Sequence, residues 1–437
     1  MSNNNNNGGT FRAFRNRNYA LFFTGQSISQ IGTWMQRTAV VWVIYSLTHS
    51  AAMIGVAVFA QQFPAFLLSL FGGVVADRHP RARILLITQT ASMVQAILLA
   101  ALILANHYVI WEILTLSAFL GIINAFDVPA RQPMVHEMVD DKADLANAIS
   151  LNSAMVNLAR LIGPALSGMV LQRWGAGFCF SLNALSFIAV IISLLLMKFP
   201  AFTPPATKKK VLSELAEGFR YLQQTPAISL LLLLITCLSL FIWPYDTLEP
   251  VFAKVVFKGD ATTYGYIAGC MGLGALVGSI LLASAKKGID LRRVLLVTIV
   301  IVGVGLILFS RMTHWVPALP FALIIGLGSI TPMSTAITIV QMEAAPQMRG
   351  RVMSWMALTF FGMLPLGSLM IGAISQRIGA PLTMLGQGIL AVLIAAIFYP
   401  FIAAASRPKG PASSHPGGPP SSHPDGPPSP KTAPARE

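Results

Sequence analysis

Charge is scarce in this sequence. Asp, Glu, Lys and Arg together make up 11% of its 437 residues, against about 25% in ordinary soluble domains. Acid is the scarcer sign, with 16 carboxylate side chains against 30 lysines and arginines. Cysteine is scarcer still. Cys179, Cys237 and Cys270 sit in separate apolar stretches without a CxxC pair, so neither a disulfide framework nor a thiolate metal site is expected. GxxxxGK[ST], HExxH and GxSxG do not occur, which removes the usual signatures of nucleotide-driven pumping and of metallo- or serine-hydrolase chemistry. The expectation is a protein that is not an enzyme and has no cofactor. The start, MSNNNNNGGT, is polar and lacks a short apolar core, so no cleavable signal peptide is expected.

What is abundant is apolar: 55% of the residues are hydrophobic. Runs at 84–105, 178–197 and 294–310 approach the roughly 20 residues that cross a bilayer as a helix. Strands of a soluble α/β sheet would be shorter, and a barrel would show alternating segments of about ten residues. The expected fold class is an all-α integral membrane protein with twelve transmembrane helices. They fall roughly at 19–46, 52–75, 83–105, 109–127, 145–171 and 177–198, then at 227–252, 262–284, 292–310, 316–340, 351–374 and 380–405.

The net charge of +14 lies in the connections between these spans, so it is read as topological and no nucleic-acid partner is expected. Arg15, Arg78, Arg81, Arg83, Arg131, Lys208, Lys209, Lys210, Lys286, Lys287, Arg292 and Arg293 fall on one side. Only Arg173, Lys254, Lys258, Arg311 and Arg377 fall on the other. The basic side is expected to be cytoplasmic, with both termini there. The chain divides into a cytoplasmic arm (1–18), a six-helix half (19–198), a cytoplasmic linker (199–226), a second six-helix half (227–405) and a tail (406–437). The linker carries helical apolar spacing over 211–222 and is expected to lie on the membrane surface. The tail holds ten of the 28 prolines, a composition that cannot build a core and is expected to be disordered.

The two halves repeat. Gly163, Gly168, Gln172, Arg173, Gly175 and Ala176 recur as Gly367, Gly372, Gln376, Arg377, Gly379 and Ala380 at a constant offset of 204. Halves of the same orientation imply a pseudo-twofold axis along the membrane normal, with a cavity between them near mid-membrane.

Gly73-x-x-x-Asp77-Arg78-x-x-Arg81-x-Arg83 follows the second span, with Pro80 where glycine is usual. Together with Gly163-Pro164 in the fifth span, it resembles the major facilitator superfamily over residues 15–405. The stretches NAFDVPARQ (124–132), LANAISLNS (145–153) and MRGRVMS (348–354) are similar to the efflux branch that contains the bacterial enterobactin exporter. The resemblance implies export of siderophore-like or drug-like molecules from the bacterial inner membrane, driven by the proton motive force. The alternative is a proton- or ion-coupled symporter for uptake. It also implies a cytoplasmic gate using Asp77, Arg78 and Arg81, for which Arg160, Arg349 and Arg351 are candidate companions. One departure stands out. Many proton-driven relatives carry an arginine before a glycine in the fourth span, and here Gly121 has none before it.

Few ionisable residues remain inside the spans, and such residues default to functional sites. Arg37 and Asp246 lie at similar depth in the first and seventh spans, which face each other in this fold. Pairing of Arg37 with Asp246 or with Glu249 is the resulting expectation, and Asp246 and Glu249 are the first candidates for proton coupling. Burial favours the acid form of such a carboxyl and a neighbouring arginine favours the ionised one, so its state stays open here. Gln26, Gln30, Trp34 and Arg37 share one helical stripe, and Gln61 and Gln62 precede Pro64 in the second span. All six are candidate cavity-wall residues. Arg37 has three open readings: contact with substrate or coupling, a structural ion pair, or an anchor reaching the outer headgroups. Pro244 is expected to break the seventh span. The expected partners are a small-molecule substrate and membrane lipid, with the chain acting as a monomer.

Overall fold

The computed structural model describes residues 12–106, 108–139, 142–198, 211–285 and 288–405. Lys208–Lys210, Lys286, Lys287 and the proline-rich tail lie outside the described residues. After a short 3-10 turn (Arg12–Arg15), the chain forms α1 (Arg17–Thr48), α2 (Ala51–Arg78), α3 (Arg81–Leu104), α4 (Ile110–Glu137), α5 (Lys142–Trp174) and α6 (Ala176–Leu196). A 14-residue helix α7 (Val211–Gln224) follows. Then come the broken helix α8 (Pro226–Val256), α9 (Ala261–Ala283), α10 (Leu291–Ser310), α11 (Trp315–Glu343), α12 (Arg349–Ile378) and α13 (Ala380–Ala405).

This is an all-α, multi-pass membrane fold. Eleven of these segments are long and apolar enough to cross a bilayer. The twelfth long helix, α1, is diluted by Gln26, Gln30, Gln36, Arg37 and several hydroxyl residues, yet it packs along α5 and α6 among the others. Large apolar side chains such as Phe71, Ile87, Leu185, Leu195 and Ile397 face outward, as a bilayer permits and water would not.

The packing pattern of α1–α6 recurs in α8–α13. α2 packs on α4 as α9 packs on α11, α3 on α6 as α10 on α13, and α3 on α4 as α10 on α11. The two sets meet along α2–α12 and α5–α9, themselves equivalent pairs. The sequence repeat has a backbone counterpart. Gly175 and Gly379 both take φ +84, where each chain leaves one helix and starts the next. A side chain would be strained at that angle, so the repeated glycine marks a repeated turn.

Buried apolar side chains form one cluster within α8–α13, joined by Tyr45, Ala51, Ile54 and Val58 from the first set. Two further clusters fill the two ends of the first set. Basic residues gather at one end of the bundle. There Arg81 bridges Asp77 and Glu137, Arg292 meets Glu343 at 2.7 Å, and Arg351 meets Glu217 at 2.5 Å. Asn18 Nδ2 donates to the Lys198 carbonyl at 2.7 Å, tying the start of α1 to the end of α6 at this same end. The amphipathic α7 is fixed to α12 by the Trp355 Nε1 hydrogen bond to the Leu215 carbonyl (3.0 Å) and by the Phe219–Trp355 ring contact.

Candidate functional site

A cavity of about 370 Å³ lies between the two helix sets. α1 contributes Trp34, Arg37, Thr38 and Val41; α2 adds Ile54, Val58 and Gln62; α5 adds Arg160 and Pro164. The opposite wall comes from α8 (Trp243, Tyr245, Asp246, Thr247, Glu249), α9, α11 and α12. Inside an otherwise apolar protein, two guanidinium and two carboxyl groups face one space.

Helix geometry explains how α1 can supply this wall. Gly25, Ser29, Gly32 and Gln36 recur at spacings of four, three and four on its back, all buried. A Cβ at Gly32 would come within 2.5 Å of Ser186 Oγ and 2.6 Å of Asn183 Oδ1, so α1 and α6 touch backbone to side chain. Gln36 fixes the rotation. Asn183 Nδ2 donates to Gln36 Oε1 (2.8 Å), Gln36 Nε2 donates to Gln95 Oε1 (2.9 Å), and Gln95 Nε2 donates to the Leu116 carbonyl (3.2 Å). All three amide side chains are at most 3% exposed. A buried amide chain of this kind is costly to break, and it holds the next residue, Arg37, toward the cavity. None of these partners is visible as a sequence motif; each is a lone polar residue in an apolar span.

Arg37 Nη2 donates to Asp246 Oδ2 across the cavity at 3.3 Å. The Arg37 guanidinium also lies 5.1 Å from the Trp34 ring centroid, and that of Arg160 lies 5.6 Å from the same ring. Indole faces attract cations, so Trp34 gathers both. Glu249 also lines the cavity and is 6% exposed. Among the described residues it has no ion pair within 4 Å, and the structure pairs Arg37 with Asp246 instead.

The acidic wall depends on the break in α8. Its regular helix ends at Cys237, passes through a wide turn at Leu238–Ile242, and continues as a 3-10 segment from Trp243 to Leu248 with Pro244 near its start. A break at this depth leaves carbonyls that must find partners inside the protein. Gln387 of α13 supplies them, its Nε2 donating to the Phe241 (2.9 Å) and Ile242 (3.3 Å) carbonyls. Gly367 of α12 leaves room for the bend, since a Cβ there would come within 2.6 Å of Pro244 Cγ.

The six expected wall residues separate. Trp34, Arg37 and Gln62 line the cavity, whereas Gln26, Gln30 and Gln61 do not. Arg37 lies eleven residues beyond Gln26, or about 16 Å along the helix, too long a stripe to meet one compact space. The Gln61 backbone instead packs against Gly121, whose missing side chain lets α2 and α4 meet. The gate candidates also separate. Asp77 and Arg78 are exposed at the basic end, Arg349 Nε donates to the Ala344 carbonyl, and Arg351 pairs with Glu217. Arg160 stands apart from them in the cavity. It lies 18 residues into α5, about 27 Å from that helix's start, too far to join Asp77.

The helix sets are closed at the end opposite the basic one. Ala51 N–H donates to Gln376 Oε1 at 3.1 Å. A Cβ on Gly372 would meet the Ala51 carbonyl at 2.6 Å, and one on Gly168 would meet the Ala261 carbonyl at 2.7 Å. At the basic end, every ion pair among the described residues joins partners within one set, or α7 to α12. Among the described residues, no group of three or more His, Cys, Asp or Glu side chains is placed to hold a metal ion.

Comparison with known proteins agrees with this architecture. The sequence model described as "Transmembrane secretion effector" matches residues 8–416. The staphyloferrin A transporter of Staphylococcus aureus is 27% identical over 86% of this chain and 94% of its own length. Multidrug efflux pump Tap of Mycolicibacterium fortuitum is 24% identical over 82% of this chain and 90% of its own. A crystal structure of a POT family transporter with a thioalcohol-conjugated peptide superposes with a TM-score of 0.73, covering 90% of this chain and 97% of that one at 14% identity; at that identity the likeness is one of fold. The relatives' names divide between a staphyloferrin transporter and a drug pump, which identifies the superfamily rather than the single branch expected from sequence.

Proposed function

The chain belongs to the transmembrane secretion effector family of the major facilitator superfamily, and from that premise we propose that it exports small organic molecules across the bacterial cytoplasmic membrane by alternating access. The cargo is siderophore-like or drug-like, and protons move in exchange. In this reading the twelve long helices form two six-helix bundles, 19–198 and 227–405, about a pseudo-twofold axis along the membrane normal. The basic end faces the cytoplasm, following the usual bias of Lys and Arg.

One observation carries the proposal: the cavity walled by both helix sets, with the Arg37–Asp246 pair spanning it at 3.3 Å. An ion pair that bridges two rigid bodies inside an apolar medium can exist only while they are close. Protonating Asp246 removes the attraction and frees the bodies to part on that side. Asp246 and Glu249 are therefore assigned to coupling, and Trp34, Arg37 and Gln62 to the substrate wall. Asp77, Arg78 and Arg81 are assigned to the cytoplasmic gate, with Arg349 and Arg351 meeting them when that end closes.

Inverted vesicles with an acidic lumen, offered a panel of siderophores and drugs, test the proposal. At least one compound is expected to accumulate only while the pH gradient lasts. Asp246→Asn at normal protein level should abolish that accumulation. Accumulation in right-side-out vesicles instead would reverse the direction, and full activity of Asp246→Asn would remove this carboxylate from the mechanism.

A further inference from the structure

The charges facing the cavity are not equally satisfied. Arg37 has Asp246 and Trp34. Arg160 has the Trp34 ring and, among the described residues, no hydrogen bond and no ion pair within 4 Å. It carries five N–H donors in a planar fork whose geometry matches a carboxylate. No protein acceptor takes them, and they stay open to the cavity, beside Trp34, Trp243, Phe360 and Phe361, where an entering acceptor can reach them. The position is also informative. Gly163, one helical turn further along α5, packs against the Trp34 Cβ. Arg160 therefore lies on the basic-end side of Trp34, whereas Arg37 lies beyond it toward the closed end.

The geometry points to Arg160 as the receptor for a carboxylate carried by the cargo, so that this transporter handles organic anions with a flat apolar portion. The carboxylate takes the fork of Arg160 bidentately, and the apolar portion lies along the aromatic wall. The Arg37–Asp246 pair lies on the far side, and the cargo's carboxylate competes for Arg160 with Glu249, which lines the same cavity without an ion pair among the described residues. The inference rests on the export reading above and adds to its energetics. A cargo with net negative charge is driven outward by an inside-negative membrane potential, by roughly fiftyfold per charge at 100 mV, whatever protons contribute.

The test uses the full-length chain in detergent. Hippurate and 2,6-naphthalenedicarboxylate are each compared with the corresponding amide by thermal unfolding and equilibrium binding. At least one acid should raise Tm while its amide does not. Arg160→Gln should weaken acid binding by about tenfold or more, and Arg160→Lys, which keeps the charge but loses the fork, should fall between. The inference is overturned if neither acid stabilises the protein, if the amides act equally, or if Arg160→Gln binds as before. Should Arg160→Gln not fold, the acid–amide comparison on the unaltered chain decides. Inverted vesicles carrying a lumen-positive potential, set by potassium and valinomycin, separate this inference from the export reading. Accumulation of the bound acid supports both. An acid that binds through Arg160 yet never accumulates sustains the anion site and sinks export. Accumulation of tetraphenylphosphonium against that potential, alike in the unaltered chain and Arg160→Gln, sustains export and sinks the anion site.

Discussion

At the scale of single residues, polarity inside apolar helices was an uneven guide. Trp34, Arg37, Gln62, Asp246 and Glu249 stand out in the sequence, and the structure lines one cavity with them. Gln26 and Gln30 stand out equally and lie elsewhere, because a stripe on a helix shares a direction but not a depth, and Gln61 lies elsewhere because consecutive helix residues point about 100° apart. Arg160 was legible as a buried charge but not as a cavity residue. The expected span 145–171 already puts it near mid-membrane; what the sequence does not show is that this face of α5 meets Trp34 and the cavity. Gln36, Gln95, Asn183 and Gln387 gave no signal, since a hydrogen bond between distant helices leaves no local pattern. Their weight can be measured. Gln387→Leu strips the Phe241 and Ile242 carbonyls of their donor and should cost about 1–3 kcal/mol, read as a lowered unfolding temperature of the purified protein. Unchanged stability would mean that water or backbone adjustment satisfies those carbonyls.

At the scale of elements, close helix contacts divide into those within one set and those between the two. Gly25 and Gly32 seat α1 on α6 within one set, a contact that travels with the bundle. Gly168 with Gly265, and Gly372 with the Ala51 carbonyl, join helices of different sets, so the proposed alternating access requires them to break. The constant offset of 204 makes this repeat legible in the sequence alone, because glycine at a crossing is a local requirement written at a fixed position. Gly168→Val should prop α5 away from α9 and bias the protein toward opening at the end opposite the basic one. In a background without the native cysteines, a cysteine at position 62 should then react faster with an impermeant maleimide applied from that side. An unaltered rate would show that this crossing does not set the closure. The breaks in α8 were only partly legible. Pro244 marks the centre, but the wide turns at Leu238–Ile242, packed on α12 and α13, and at Phe252–Val256, packed on α9 and α13, carry no local sequence marker.

At the scale of the whole molecule, two helix sets share one cavity. The equivalent pairs α2–α12 and α5–α9 form the seam, closed at one end and without cross-set ion pairs among the described residues at the other. Arg37–Asp246 is the charged contact that crosses it. Alternating access requires that the seam open at one end only when it closes at the other. Spin labels test this most directly in the full-length protein after the native cysteines are replaced. One pair goes at exposed Ser153 and Ser284 near the basic end, the other at exposed Gln172 and Lys258 at the opposite end. Lowering the pH, or substituting Asp246→Asn, should shorten the first distance while lengthening the second. Distances that stay fixed, or that change in the same direction, would contradict alternating access through this cavity.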